Sequence, residues 1–202
     1  MEELGPIKLK RRNGDESFYD DGKPVGFGLL SFWQWSASDI VSNATRVVLA
    51  EFIVASAVGV AHKTVREEWA DWDVKAPDGT LIEVKSAAYI QSWHQNRHSD
   101  ICFGYAKSFG WDSKTNKQGT VKKRHSDVYV FALLGHKVQK TLDPLDLTQW
   151  EFFVVPTMKL DERKRSQTSI TLKSLRELHG DSVSYSGLKK AINEAVKIQR
   201  GL

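Results

Sequence analysis

The chain is punctuated most sharply at its turn APDGT, residues 76–80, which sits between two runs of alternating residues in WADWDVKAPDGTLIEVKSAAY. Proline presets the first central position of a type I turn, and Gly79 accepts the left-handed conformation that closes it. A three-residue loop of this kind joins antiparallel strands, so Ala76 faces Thr80 and outward pairing brings Val74 to Ile82, Asp73 to Glu83 and Asp71 to Lys85. Side chains alternate between faces along a strand. Trp72, Val74, Ile82 and Val84 therefore form one apolar face, and Asp71, Asp73, Glu83 and Lys85 share the other.

Directly opposed residues have Cβ atoms roughly 4.5–5.5 Å apart, so Asp73 and Glu83 repel unless a cation lies between them. Two such carboxylates suit a hard divalent ion that prefers oxygen ligands, Mg²⁺ or Mn²⁺. Lys85 on the same face can orient an attacking water or offset charge at a phosphate, the pattern of metal-assisted phosphodiester hydrolysis. A solvated surface hairpin would account for an Asp71–Lys85 ion pair, worth about 0–1 kcal/mol, but poorly for an aspartate set against a glutamate.

A second carboxylate stands in SASDIVSNATRVVLAEFIVASAVGV, which reads as a helix over residues 38–58 with Gly59 past its end. Between Val47 and Ala61 the only ionisable residue is Glu51. A carboxylate in such apolar surroundings is exposed by a local gap, paired, or metal-bound, because burying it bare is costly. It is either a further ligand, a carboxylate one step behind the ligands, or a glutamate on a narrow wet stripe beside Arg46.

A helix glutamate, then an aspartate, then Glu-x-Lys on the following strand resembles the PD-(D/E)xK nuclease superfamily over about residues 46–93. Carried across, Glu51 looks like the helix glutamate, Asp73 the metal-binding aspartate, Glu83 the second acidic ligand and Lys85 the motif lysine. The residue before Asp73 is Trp72 rather than proline. Pro77–Asp78 supplies the literal pair, but the turn requires both residues, and Asp78 at the loop tip points away from Glu83. Asp71 shares the charged face and competes for the aspartate role. The resemblance implies a restriction-endonuclease-like α/β core with a central mixed β-sheet flanked by helices, an endonuclease cofactored by Mg²⁺ or Mn²⁺, and DNA ahead of RNA as substrate. It also implies Gln91 as a polar contact to nucleic acid, and homodimers as an assembly some of its members use. The rival is a catalytically inactive nucleic-acid-binding module of the same fold.

The 29 basic and 25 acidic residues give a net charge of +4, which makes an anionic partner worth testing. Six of the basic residues (Lys107, Lys114, Lys117, Lys122, Lys123 and Arg124) lie in KSFGWDSKTNKQGTVKKR against the single acid Asp112. A mobile basic loop with Trp111 interleaved suits phosphate contact and base stacking, and Trp93 is a second stacking candidate. His94 and His98 have a zinc-like spacing without further ligands. The lone Cys102 excludes an internal disulfide, fits a reducing compartment and reads as a small buried hydrophobe. The opening residues lack the apolar core of a signal peptide, so a cytoplasmic protein is expected.

Residues 1–27 read as a charged, mobile or loosely docked arm and 28–202 as one nuclease-like domain. LLSFWQW is expected to pack on the core. Strands are expected near 65–76, 80–90, 101–107, 127–134 and 150–155, with SITL a short strand and KSLREL a short helix. SGLKKAINEAVKIQR forms an amphipathic helix with Leu188, Ile192, Ala195, Val196 and Gln199 along one side.

Overall fold

The computed structural model describes residues 4–113 and 115–202. The chain opens with an antiparallel hairpin, β1 (Ser17–Asp20) and β2 (Lys23–Gly28), followed by helices α1 (Leu29–Ala37) and α2 (Asn43–Ala57). Next come β3 (Val74–Lys75), β4 (Leu81–Ala88), β5 (Cys102–Gly104), β6 (Ser108–Asp112), β7 (Lys117–Lys123), β8 (Val128–Leu134) and β9 (Trp150–Pro156). The chain ends with α3 (Thr157–Asp161), β10 (Ser169–Thr171), α4 (Leu172–His179) and α5 (Tyr185–Arg200).

A mixed four-stranded sheet in the order β3-β4-β8-β9 forms the centre. Its outer pairs are antiparallel, and β4 lies parallel to β8. The sequence of β8, VYVFALL, is apolar throughout and buried at every position, as expected of a strand covered on both faces. On one face Ile82, Val84, Val130 and Val154 pack with Ala50, Ile53 and Val54 of α2 and with Leu188, Ile192, Ala195 and Val196 of α5. On the other, Ala87, Phe131, Leu133 and Phe153 pack with Phe103, Tyr105, Leu160, Ile170 and Leu175. The expected α/β architecture, a mixed sheet flanked by helices, is thus present.

Local signals explain the element ends. The Ser42 hydroxyl accepts the Thr45 amide at 3.3 Å to cap α2, so the helix begins at Asn43 rather than 38. Gly59 follows the helix at φ +82°, as the sequence anticipated. Thr171 caps α4 through the Ser174 amide at 3.3 Å.

Four expectations need correction. The strand expected over 65–76 shrinks to Val74–Lys75, because residues 68–73 form turns and bends. LLSFWQW does not pack on the core: it makes up most of α1, which buries none of its residues and leaves Trp35 85% exposed. The basic stretch is not a loop but the β6–β7 hairpin, turned at Asn116 with φ +55°. Cys102 is exposed at the β5 edge rather than buried. Within the N-terminal arm, Arg11 donates to the carbonyls of Ala61 at 3.0 Å and Thr64 at 3.1 Å.

Candidate active site

The register foreseen for the central hairpin holds from the turn to the Val74–Ile82 pair and does not extend to Asp71 and Lys85. Val74 pairs with Ile82 and Lys75 with Leu81, the Ala76 amide donates to Thr80 at 2.9 Å, and Gly79 lies at φ +86°. The ladder proper ends at Val74. Beyond it the Asp73 amide donates to the Ile82 carbonyl at 3.1 Å, and its Oδ2 accepts the Val84 amide at 2.7 Å. A carboxylate thus replaces a backbone acceptor, which fixes Asp73 against the edge of β4. β4 is held from its other side by Asp127, whose Oδ2 accepts the Leu81 amide at 2.9 Å.

Pairing β4 with β8 places Glu83 beside Tyr129 and Lys85 beside Phe131. Lys85 Nζ donates to Glu83 Oε1, and the Ser126 hydroxyl reaches Glu83 Oε2 at 3.4 Å. Burial pushes the Asp73 carboxyl up to about 7, and the negative Glu83 and Glu51 push the same way, against the Val84 amide and Lys85. Burial, with Glu83 beside it, likewise raises the Tyr129 hydroxyl. Three carboxylates therefore feel one another here, and Asp73 carries the cost.

Glu51 lies on the buried side of α2, 4% exposed. Arg66 grips it with two donors, Nε on Oε2 and Nη2 on Oε1 at 3.2 Å. Arg46 is not its partner: that guanidinium binds the carbonyl of Val41 at 2.8 Å, the Asn43 side chain and Gln91 Oε1 at 3.2 Å. Glu51, Arg66, Trp72 and Asp73 line a cavity of about 180 Å³ between α2 and β3. Among the described residues no group of three or more His, Cys, Asp and Glu side chains is arranged to hold a metal ion. Arg66 takes both oxygens of Glu51, whereas Lys85 takes only Oε1 of Glu83, so the carboxylates with an oxygen left to meet a cation are Asp73 and Glu83.

Asp71, a competitor on the same face by its spacing, is not opposite Lys85. Its Oδ1 accepts the Trp111 amide at 2.8 Å and its Oδ2 lies 3.5 Å from His125 Nδ1. His125 Nε2 contacts the Ser108 carbonyl at 3.1 Å. Asp71 and His125 thus tie the start of the central hairpin to β6. Gly110 is required at this contact, since a Cβ there would stand 2.6 Å from Asp71 Oδ2 and 2.8 Å from His125 Cε1.

The residues expected to hold nucleic acid divide sharply. Lys117, Lys122 and Lys123 are exposed on β7, and Trp111 beside them on β6 is 37% exposed. Lys122 Nζ sits 5.1 Å over the Phe109 ring. Trp93 is 55% exposed, while Lys114 lies outside the described residues. Arg124 is a correction: its side chain has no exposed surface, and it binds Asp161, the Tyr105 carbonyl at 3.2 Å and Gln167 at 3.0 Å. Gln91 is a second: it is buried, donating to the Ala88 carbonyl at 2.9 Å and to the Ser99 hydroxyl at 3.2 Å. Both residues brace the scaffold. His98 Nε2 meets the Lys137 carbonyl at 3.0 Å and His94 Nε2 meets Asn96, so neither ring supports a zinc reading.

Arg66 and His125 went unnoticed in the sequence. No motif marks them, since their partners lie 15 residues away or more and only the folded chain brings them together. A third omission had a signal: Asp21 and Gly22, both at positive φ, are a two-residue Asp-Gly turn that announces the β1–β2 hairpin.

Among the described residues no helix is long and apolar enough to cross a membrane. No curated protein and no solved structure matches the chain. The family model for bacteriophage T4 endonuclease IV matches residues 29–174, a span that runs from α1 into α4 and takes in the whole central sheet, the acidic hairpin and the basic one. The chain belongs to the bacteriophage T4 endonuclease IV family, a nuclease family whose substrate is nucleic acid.

Proposed function

We propose that the protein is a Mg²⁺- or Mn²⁺-dependent endonuclease that cuts DNA with a PD-(D/E)xK-type site of Asp73, Glu83 and Lys85. The observation that carries this reading is Asp73 itself. A carboxyl pinned to β4 by the Val84 amide, half-buried, and repelled by two neighbouring carboxylates is unfavourable to ionise unless a cation joins it. The donor set is all oxygen, which fits a hard divalent ion retaining several waters, with Asp73 and Glu83 as the residues that would hold it. The ion, when bound, supplies positive charge against the charge that develops on the scissile phosphate.

The chain's own residues do the rest. Lys85, steered by its contact with Glu83, orients the attacking water and donates a hydrogen bond to it. Glu51 acts from one step behind, through Arg66. Lys117, Lys122 and Lys123 take backbone phosphates, and Trp111 and Trp93 offer rings to unstacked bases.

The test is cleavage of single- and double-stranded DNA and RNA in Mg²⁺, Mn²⁺ and EDTA, with Lys85→Ala purified in parallel. Metal-dependent cutting of DNA that the variant loses by about a thousandfold supports the reading. Equal inertness of both proteins on every polymer, with no metal bound in calorimetry, overturns it in favour of a binding module.

A further inference from the structure

We propose that Arg66 is a substrate-binding residue of this site, a fork for the scissile phosphate, and that Glu51 is its positioning residue. The inference rests on the catalytic reading above. Arg66 lies between α2 and β3 in a segment without helix or strand, so no backbone ladder holds it in place. Glu51 does so instead, taking one edge of the guanidinium through Nε and Nη2.

A guanidinium carries five N–H donors in a plane. The grip on Glu51 uses two, and Nη1 makes no hydrogen bond among the described residues. Three donors on a side chain 39% exposed are therefore left, on the wall of the cavity that Asp73 shares. The hydrogen bond and charge of Glu51, with Asp73 and Glu68 nearby, raise the Arg66 pKa further, so its charge is permanent. Arginine suits this task better than lysine, since its planar fork matches two oxygens of a phosphate.

Stability alone does not account for the pair. An ion pair with one member buried returns little net stabilisation, and apolar residues of similar volume often serve as well or better. Glu51 interrupts an otherwise apolar helix face, a cost that a precisely oriented cation at the site offsets through function.

The experiment uses the full chain in four forms: wild type, Arg66→Met, Glu51→Leu and the double variant. Each single change leaves a charge without its partner and lowers the melting temperature. The double variant removes both charges, so its melting temperature recovers. If Arg66 binds phosphate, the double variant stays about a hundredfold or more below wild type in cleavage. Its affinity for a DNA duplex in EDTA, read by fluorescence anisotropy, falls about tenfold, the loss of one charge-assisted hydrogen bond. A double variant that cuts at the wild-type rate, or binds the duplex in EDTA as tightly as wild type, overturns the proposal and leaves the pair a structural strut. Asp73→Asn runs alongside as a control. Wild-type cutting by Asp73→Asn would instead sink the underlying assignment of the site.

Discussion

Two hairpins of similar length do opposite things in this protein. The β3–β4 hairpin is welded into the central sheet, with Val74, Ile82 and Val84 sealed in the core. The β6–β7 hairpin pairs only with itself, and every residue of β7 is exposed. The first holds like charges together against their repulsion. The second displays like charges to solvent, where separation and screening make them cheap. Under the proposed function, rigidity sits where carboxylates must be aimed within a fraction of an ångström, and exposure where a polyanion has to be met over a wide surface. What joins the two is a small polar hinge: the Asp71 carboxylate on the Trp111 amide, with His125 behind it.

The contrast can be broken at its strongest point first. Arg124 follows β7 directly and anchors the exposed hairpin to the buried scaffold. Arg124→Met strands the Tyr105 and Gln167 carbonyls and should cost about 3 kcal/mol in urea unfolding, far more than loss of a surface cation. A loss below about 0.5 kcal/mol would mean that Arg124 is a surface residue after all.

The next effect belongs to the rigid hairpin. Asp73 titrates near 3.8 when unfolded and at about 7 when folded, so the folded state binds the extra proton between those values. Stability therefore falls as pH rises from about 4 to 7 and is flat above, by linkage. Melting temperatures across that range should show the decline in EDTA, lose it in Asp73→Asn, and show it reduced in saturating Mg²⁺. A pH profile indifferent to Asp73→Asn would refute the repulsion argument.

A smaller change tests the hinge. Gly110→Ala forces its methyl into Asp71 and His125, and displacing Asp71 breaks the bond to Trp111. DNA affinity should weaken about tenfold with kcat at saturation retained, since the catalytic strand is untouched. A kcat loss without a change in affinity would show that the hinge serves chemistry instead. The smallest effect is at the display surface. Lys122→Gln or Lys123→Gln should each lower the slope of log affinity against log salt by about 0.7–0.9, uniformly across sequences.

How far the sequence could be read follows the same division. The β3–β4 register was legible because turn chemistry fixed it and a slip of one residue would have exposed Ile82 and Val84. Strands β8 and β9 were legible as short apolar runs, and helix α5 showed its buried face in its periodicity, down to Leu188, Ile192, Ala195 and Val196. The β6–β7 hairpin was not legible, because a strand pair that buries nothing shows no alternation to detect. α1 misled for the reverse reason: its aromatic density resembles a core segment, yet Trp35 and Phe32 lie open. At the candidate site, the closeness of Asp73, Glu83 and Lys85 to one another was recoverable from turn register and alternation. Arg124 was misjudged because a run of KKR does not reveal which member turns inward, and Arg66 was missed because its partnership is purely tertiary.

The chain leaves β4 just after the Glu83 and Lys85 pair and returns as β8, its parallel neighbour, only after passing through residues 89–127. That excursion contains β5 and the whole of the basic hairpin. Under the proposed function, insertions or charge changes there would alter what the molecule grasps, while Glu83 and Lys85 keep their backbone neighbours Tyr129 and Phe131. On that reading, target range and chemistry are written largely in separate, adjacent paragraphs of one gene, and the basic hairpin can be revised by evolution while Ser126 and Asp127 keep their hold on β4.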